Sequence, residues 1–469
     1  MKAPARSAIL FLAACGLFPA DAPAQTAPFR DLAVTPVAEA FSPALPVIAG
    51  DVDGDGMLDL LIGTNDQILL FRGTGTAHVN GGEMVFSGKR IRNLALADFD
   101  GDGIPDLAAL TQGAVLVFKA EAPGSFVPTL TFDLQGEPAR GFAAADLNGD
   151  GAIDLVAGQE SSVLLLPGNG AGNFCYGGEF ATGSIPNGIV VADFNNDGIP
   201  DLATANYPNS DDLSILLGTG AGTFQSKIRV LASVGPYSDR PYALAAGDFD
   251  RDGKLDLAVA ADGIAILLGN GDGTFAKGAG IPDDSSPMSM AVGDLDGDGF
   301  PDIVAGDYYG GRISVALNNG DGTFRTVRPL TAIGDVFGLA LADLNGDSSL
   351  DVIASSYSSQ SALIALGGSA GTFQAPVYLG YFDNALLRPF GQDLAVVMPY
   401  RKSISLLKHG TEASATLFFD DYPVDTLPGD FNRNGTADLA VLTVPAIGRD
   451  ATAPARGAIH VLAGAEDGS

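Results

Sequence analysis

The string DVDGDGMLD, beginning at Asp51, belongs to a pattern that occurs eight times in this chain. The copies begin at Asp51, Asp98, Asp146, Asp193, Asp248, Asp294, Asp343 and Asp430 and read D-x-[DN]-x-[DN]-G-x-x-D, with Ser348 as the one exception at the glycine. A sustained period fixes architecture before local propensity does, because each repeat must bury its face against its neighbours. The same string also carries chemistry. Oxygen donors at alternate positions of a tight loop form the ligand set of a hard divalent cation.

Positions 1, 3 and 5 of each loop offer side-chain oxygen, position 7 its backbone carbonyl, and position 9 a further carboxylate. That makes about five donors of the 6–8 that Ca2+ takes. The first loop supplies Asp51, Asp53, Asp55, Met57 and Asp59, and the second Asp98, Asp100, Asp102, Ile104 and Asp106. The third supplies Asp146, Asn148, Asp150, Ala152 and Asp154, and the fourth Asp193, Asn195, Asp197, Ile199 and Asp201. In the fifth the ligands are Asp248, Asp250, Asp252, Lys254 and Asp256, and in the sixth Asp294, Asp296, Asp298, Phe300 and Asp302. The seventh has Asp343, Asn345, Asp347, Ser349 and Asp351; the eighth has Asp430, Asn432, Asn434, Thr436 and Asp438. Up to about eight Ca2+ sites are expected on this ligand count. Asn at position 3 brings oxygen without charge, so those loops should hold the ion less tightly. The seventh loop, with Ser348, and the eighth, with Asn434, should be weakest.

An EF-hand shares the first half of this pattern but needs a bidentate Glu at position 12. Position 12 here is Ile62, Ala109, Ala157, Thr204, Val259, Ala305, Ala354 or Val441. The flanks read as strands, so each loop closes a hairpin. The plain alternative is a set of Asp-Gly and Asn-Gly turns without metal. Eight copies with acids at both positions 1 and 9 argue against it. So does charge: the loops hold 27 of the 56 acidic residues, and crowded carboxylates repel unless a cation sits among them.

The formal net charge of −31 disfavours nucleic acid as a partner, because phosphate binding needs a basic face. Hydrophobic residues make up 46% of the chain, enough for a large core. The start reads as an export signal. Lys2 and Arg6 precede an apolar run from Ser7 to Phe18, and Ala22-Pro23-Ala24 fits a cleavage site. Residues 1–24 are therefore expected to be a signal peptide and 25–469 the folded repeat region. Leu12-Ala13-Ala14-Cys15 is a competing lipobox pattern that would anchor the chain through Cys15. Either way the chain is expected in the periplasm, on the cell surface or secreted. No later segment is long and apolar enough for a transmembrane helix. A monomer is expected.

The position-9 acids are mostly 46 to 49 residues apart, with one interval of 55 and a last one of 87. Within that last gap Gln392–Tyr400 reads as the strand of a unit that has lost its loop, giving nine repeat units. Each unit reads as four strands, illustrated by Tyr242–Asp248, the metal loop, Asp256–Asp262, Gly263–Asn270 and an irregular strand after the turn Gly271–Phe275. The residue before each loop is always Gly or Ala, as a strand near a common axis requires. Positions 2 and 10 are always apolar and should anchor the loop to the core. A four-stranded sheet recurring every ~40–50 residues has the period of a β-propeller. The fold class is all-β, with seven or eight blades still open besides nine. The segment Phe29–Val37 is expected to complete the last sheet and close the ring.

These loops resemble the FG-GAP and VCBS repeat family, which includes the calcium-bearing propeller of integrin α subunits. The resemblance spans nearly all of residues 30–465. It implies a propeller with Ca2+ in hairpin loops on one face and, more loosely, adhesion or ligand recognition. A non-catalytic scaffold is expected, with a protein or glycan partner at the face opposite the calcium loops. The candidate contacts lie in insertions carrying Tyr207, Tyr237, Tyr242, Tyr308, Tyr309 and Tyr357, since tyrosine is common at interfaces. A calcium-dependent lectin is the second reading; the absence of Trp counts against it. An enzyme acting on polysaccharide is the third. His78, His409 and His460 are scattered and no nucleophile motif appears.

Overall fold

The computed structural model describes residues 46–376 apart from 76–79, 135–139, 208–211, 232–240, 262, 282–286, 310, 327–329, 332–334, 357–360 and 375; of residues 377–462 it describes strand backbone only. The chain forms two compact units, one built mainly from residues 40–378 and one mainly from 379–469.

The first unit contains seven antiparallel blades in chain order, each a meander of four strands, with the short extra strand Leu330–Thr331 on the sixth and a two-stranded ribbon, Gly367–Gly368 with Thr372–Phe373, in the seventh. In the fifth, Ala243–Gly247 pairs with Asp256–Ala261, that strand with Gly263–Gly269, and the last with Phe275–Lys277. The first strand of every sheet faces the axis. These inner strands are Val47–Gly50, Ile91–Ala97, Phe142–Ala145, Pro186–Ala192, Ala243–Gly247, Pro287–Gly293 and Val336–Ala342. Each lies beside the next, and Val47–Gly50 lies beside Val336–Ala342, so seven blades close a ring. No α-helix occurs among the described residues.

The nine repeat units are thus nine successive sheets, of which seven make the ring. The other two belong to the second unit. There, Leu386–Phe390, Asp393–Met398, Ser403–Leu407 and Ser414–Phe418 form one sheet; Asp393–Met398 is the strand expected for the unit without a loop. Tyr422–Gly429, Asp438–Val444 and Ala458–Leu462 form the other, with three strands. The export signal, Cys15 and the expected closing segment Phe29–Val37 lie outside the described residues.

Burial follows strand position. The second strands are buried along their whole length, as in Asp106–Thr111 and Asp256–Ala261, because a neighbouring sheet covers each face. Their sequences accordingly run apolar without alternation. Outer strands such as Ile228–Leu231 alternate half-buried and exposed. Core side chains fill the space between adjacent sheets, and Phe194, Leu213, Phe249, Leu257 and Ile266 belong to one such cluster.

The small residue before each loop has a clear reason. It pairs across the hairpin with position 9, as Gly50 does with Asp59 and Gly293 with Asp302. A Cβ on Gly50 would stand 2.9 Å from Leu96 Cδ1, and one on Gly293 2.5 Å from Leu350 Cδ1. Neighbouring blades converge at this point and leave no room for a larger side chain.

Candidate metal centres

Each described loop joins an inner strand to the second strand of its blade, so all seven lie at the same end of the inner strands. Position 9 is the deepest ligand. Asp59 is 1% exposed and Asp154, Asp201, Asp302 and Asp351 are 0% exposed. Its carboxylate accepts two backbone N–H groups. In the first loop Val52 N donates to Asp59 Oδ2 at 3.0 Å and Gly73 N to Oδ1 at 2.6 Å. The same pair of bonds recurs at Asp106, Asp154, Asp201, Asp256, Asp302 and Asp351. Position 9 therefore ties the loop to the third strand of its blade.

Position 1 organises the turn. Asp51 accepts from Gly54 N at 2.7 Å and Gly56 N at 3.0 Å, and Asp294 accepts from Gly297, Asp298 and Gly299. The position-7 N–H donates to the position-5 carboxylate, as from Met57 to Asp55, Ile104 to Asp102, Ala152 to Asp150 and Ser349 to Asp347. Ile199, Lys254 and Phe300 do the same. Positions 2 and 10 are buried in all seven loops, from Val52 and Leu60 to Leu344 and Val352.

In four loops the acids at positions 1, 3 and 9 converge. Ligand oxygens of Asp51, Asp53 and Asp59 lie within 4.8 Å of one another, and so do those of Asp98, Asp100 and Asp106, of Asp248, Asp250 and Asp256, and of Asp294, Asp296 and Asp302. The position-5 acids Asp55, Asp102, Asp252 and Asp298 stand outside these triads, exposed on the rim. Each carboxylate oxygen that accepts one amide proton keeps a second lone pair, so the donor set suits a hard cation. Burial pushes Asp59 and Asp106 up to about 6, with the neighbouring loop acids adding to it against the two amide bonds. A divalent ion among these oxygens would reverse that effect. The loops with Asn148, Asn195 and Asn345 keep the same backbone bonds, with those amide oxygens accepting the position-5 N–H. Residues 430–437 of the eighth loop and the Asp438 side chain lie outside the described residues.

Three features escape a reading confined to one loop. Position 4, like position 6, takes positive φ. Gly54 and Gly297 sit there at 74° and 79°, and Asn196 and Arg251 adopt 57° and 62°; glycine at position 4 in five described loops was the available signal. The four loops with Asp at position 3 each recruit a cation. Arg72 Nη1 lies 2.6 Å from Asp53, Lys254 Nζ 2.7 Å from Asp252, Arg325 Nη2 3.0 Å from Asp296, and Lys119 pairs with Asp100.

The third feature concerns the Gly-rich turns. They close hairpins, and they also dock on the loop of the preceding blade. Gly172 N, Gly273 N and Gly322 N donate to the position-2 carbonyls of Phe99, Phe194 and Phe249. The turn phenylalanines Phe174, Phe275 and Phe324 meet the same rings edge to face at 5.3, 5.7 and 5.6 Å.

The opposite end of the inner strands carries the candidate tyrosines. Tyr207 and Tyr242 are 5.1 Å apart and Tyr308 and Tyr309 4.8 Å apart, centroid to centroid. Tyr309 is 81% exposed. Tyr237 and Tyr357 lie outside the described residues, as do His78, His409 and the His460 side chain.

The fold and the loops define a seven-bladed β-propeller with acidic hairpin loops on one face. Residues 51–109, 98–157, 146–204, 193–259, 252–305 and 294–354 each match the FG-GAP-like repeat, together about two thirds of the chain. The chain belongs to the FG-GAP-like repeat family. No curated protein matches it in sequence. Among solved structures it is similar to an Agrocybe aegerita lectin that recognises non-reducing terminal N-acetylglucosamine. The TM-score is 0.52 at 21% identity, covering 71% of this chain and 94% of the lectin. It is also similar to BBS1N, solved in complex with ARL6DN, with TM-score 0.51 at 15% identity and coverage of 71% and 94%. At these identities the likeness concerns the fold. No helix among the described residues is long and apolar enough to cross a membrane.

Proposed function

We propose that this chain is an exported, non-catalytic ligand-binding scaffold whose hairpin loops are held by Ca2+. The observation that carries the reading is the convergence of three carboxylates in each of four loops, with the hydrogen-bond frame repeated in the other three described loops. An ion there would link an inner strand to the second strand of its blade. The turn of the next blade rests on the same loop, so the ion would brace two blades at once. The partner binds at the other face, where the tyrosines gather. The similar propellers take a glycan in one case and a protein in the other, and both partner classes are compatible with a tyrosine-bearing rim. A calcium-dependent lectin is the second reading.

Thermal melts in millimolar calcium and in EDTA test the metal. Binding to the folded state alone adds about 2.7 kcal/mol per site at a hundredfold excess over Kd. Several sites together would rival a domain's whole net stability. The melting temperature should fall by many degrees in EDTA; an unchanged melt overturns the reading. A glycan array run in calcium and in EDTA then separates a sugar partner from a protein partner.

A further inference from the structure

At the end of the inner strands away from the acidic loops, a cavity of about 90 Å3 opens on the axis, lined by residues from all seven blades. Its polar lining is unlike the rest of this acidic chain. Arg140, from the third blade, reaches across so that its Cζ stands 4.3 Å from the centroid of the Phe337 ring in the seventh. Its backbone is fixed from both sides. Asn93 Nδ2 of the second blade donates to the Arg140 carbonyl at 2.9 Å, and Arg140 N donates to Asn187 Oδ1 of the fourth at 3.2 Å. The guanidinium itself makes no hydrogen bond or ion pair among the described residues.

Like charge surrounds it. Arg92 lines the same cavity, and Arg92 and Arg90 both act on Arg140 electrostatically. Burial first, then these two neighbours, lower the Arg140 pKa, with Tyr242 and Tyr308 opposing. Phe337 is also ringed edge to face by Tyr242 at 6.5 Å and Tyr308 at 5.7 Å. Ser289, 8% exposed, lines the cavity with no hydrogen-bond partner for its hydroxyl.

A half-buried guanidinium with no anion beside it among the described residues has lost part of its hydration without gaining an ion pair, and pairing it restores the balance. Its planar fork matches a carboxylate. A cavity of this size has room for such a group. We propose that the channel mouth binds a carboxylate, held by Arg140 with Arg92 beside it and walled by Tyr242 and Phe337. This deepens the proposed function, since it gives the chemistry of the ligand at the face opposite the loops. The carboxylate comes either from a sugar acid or from an acidic side chain.

The test is calorimetric titration of the full chain in calcium with glucuronate, glutamate, acetate, sulfate and glucose. The carboxylates should saturate a single site while glucose stays silent. The tighter of glucuronate and glutamate identifies the source. Arg140→Gln should weaken binding roughly tenfold or more, the loss expected for one charge-assisted hydrogen bond. Arg140→Lys, which keeps charge but not the fork, should weaken it too, and this serves if the Gln variant does not fold. Three results overturn the proposal: no carboxylate saturates, sulfate binds as tightly, or binding survives Arg140→Gln unchanged. If no carboxylate binds while calcium still raises the melting temperature, this inference fails and the scaffold reading stands.

Discussion

Ser348 shows how much a single loop position matters. It occupies position 6 of the seventh loop with φ of 69°, where every other described loop has Gly. Its N–H still bonds Asp343 Oδ2 at 2.8 Å, so the loop forms, at the cost of a side chain in the left-handed region. That cost is about 1–2 kcal/mol, and Ser348→Gly should recover much of it, read as a higher urea midpoint. A lower midpoint would show that the serine makes a compensating contact. The position-9 acids give a second prediction. Burial raises Asp59, Asp106, Asp154, Asp201 and Asp256 to about 6, and Asp302 and Asp351 to about 7, from an ordinary 3.8. Between those values the folded ion-free chain binds more protons than the unfolded one. Stability then falls as pH rises through that window. In EDTA the melting temperature should therefore be higher near about pH 5 than near about pH 7.5. Saturating calcium should shrink or invert the difference, because the ion requires the carboxylates deprotonated. An EDTA melt indifferent to pH would mean these acids are better solvated than their burial implies.

Between single residues and the ring stands the blade with its neighbour. Phe249 is fully buried at position 2 of the fifth loop, and Phe324 from the next blade packs on it. Phe249→Ala should cost about 3–5 kcal/mol by cavity formation, seen as a lower denaturation midpoint. The fifth and sixth blades should loosen first in hydrogen exchange, since Gly322 N also rests on the Phe249 carbonyl. Uniform loosening of all seven blades would argue that the contact is not local. This link between blades was only half legible. An apolar residue at every position 2 pointed to a core anchor. Its partner in the next repeat was hidden because the Gly-rich turn, about one and a half periods downstream, reads in isolation as a complete hairpin.

At the scale of the molecule, closure is made by the inner strands of the first and seventh blades, Val47–Gly50 beside Val336–Ala342. The ring thus needs no repeat beyond the seventh. A chain ending near Gly380 should fold cooperatively and keep a calcium-dependent melt; an aggregating or non-cooperative fragment would show that the last two sheets are required. Blade number is a property of closure. It depends on how far each sheet rotates about the axis from its neighbour, which packing between sheets decides and a count of repeats does not.

The sequence by itself determined the period, the strand order within a blade, the hairpin position of the acids and the buried role of positions 2 and 10. Each is a local demand, repeated often enough to be read against its own copies. Tertiary structure alone decided what depends on residues far apart in the chain. It set seven blades rather than nine in the ring, and it paired the Asp-rich loops with Arg72, Lys119 and Arg325 from other strands. It also gathered Arg140, Arg92, Tyr242 and Phe337 from four blades around one axis. No spacing rule links those positions, because each belongs to a different repeat and only ring closure brings them together.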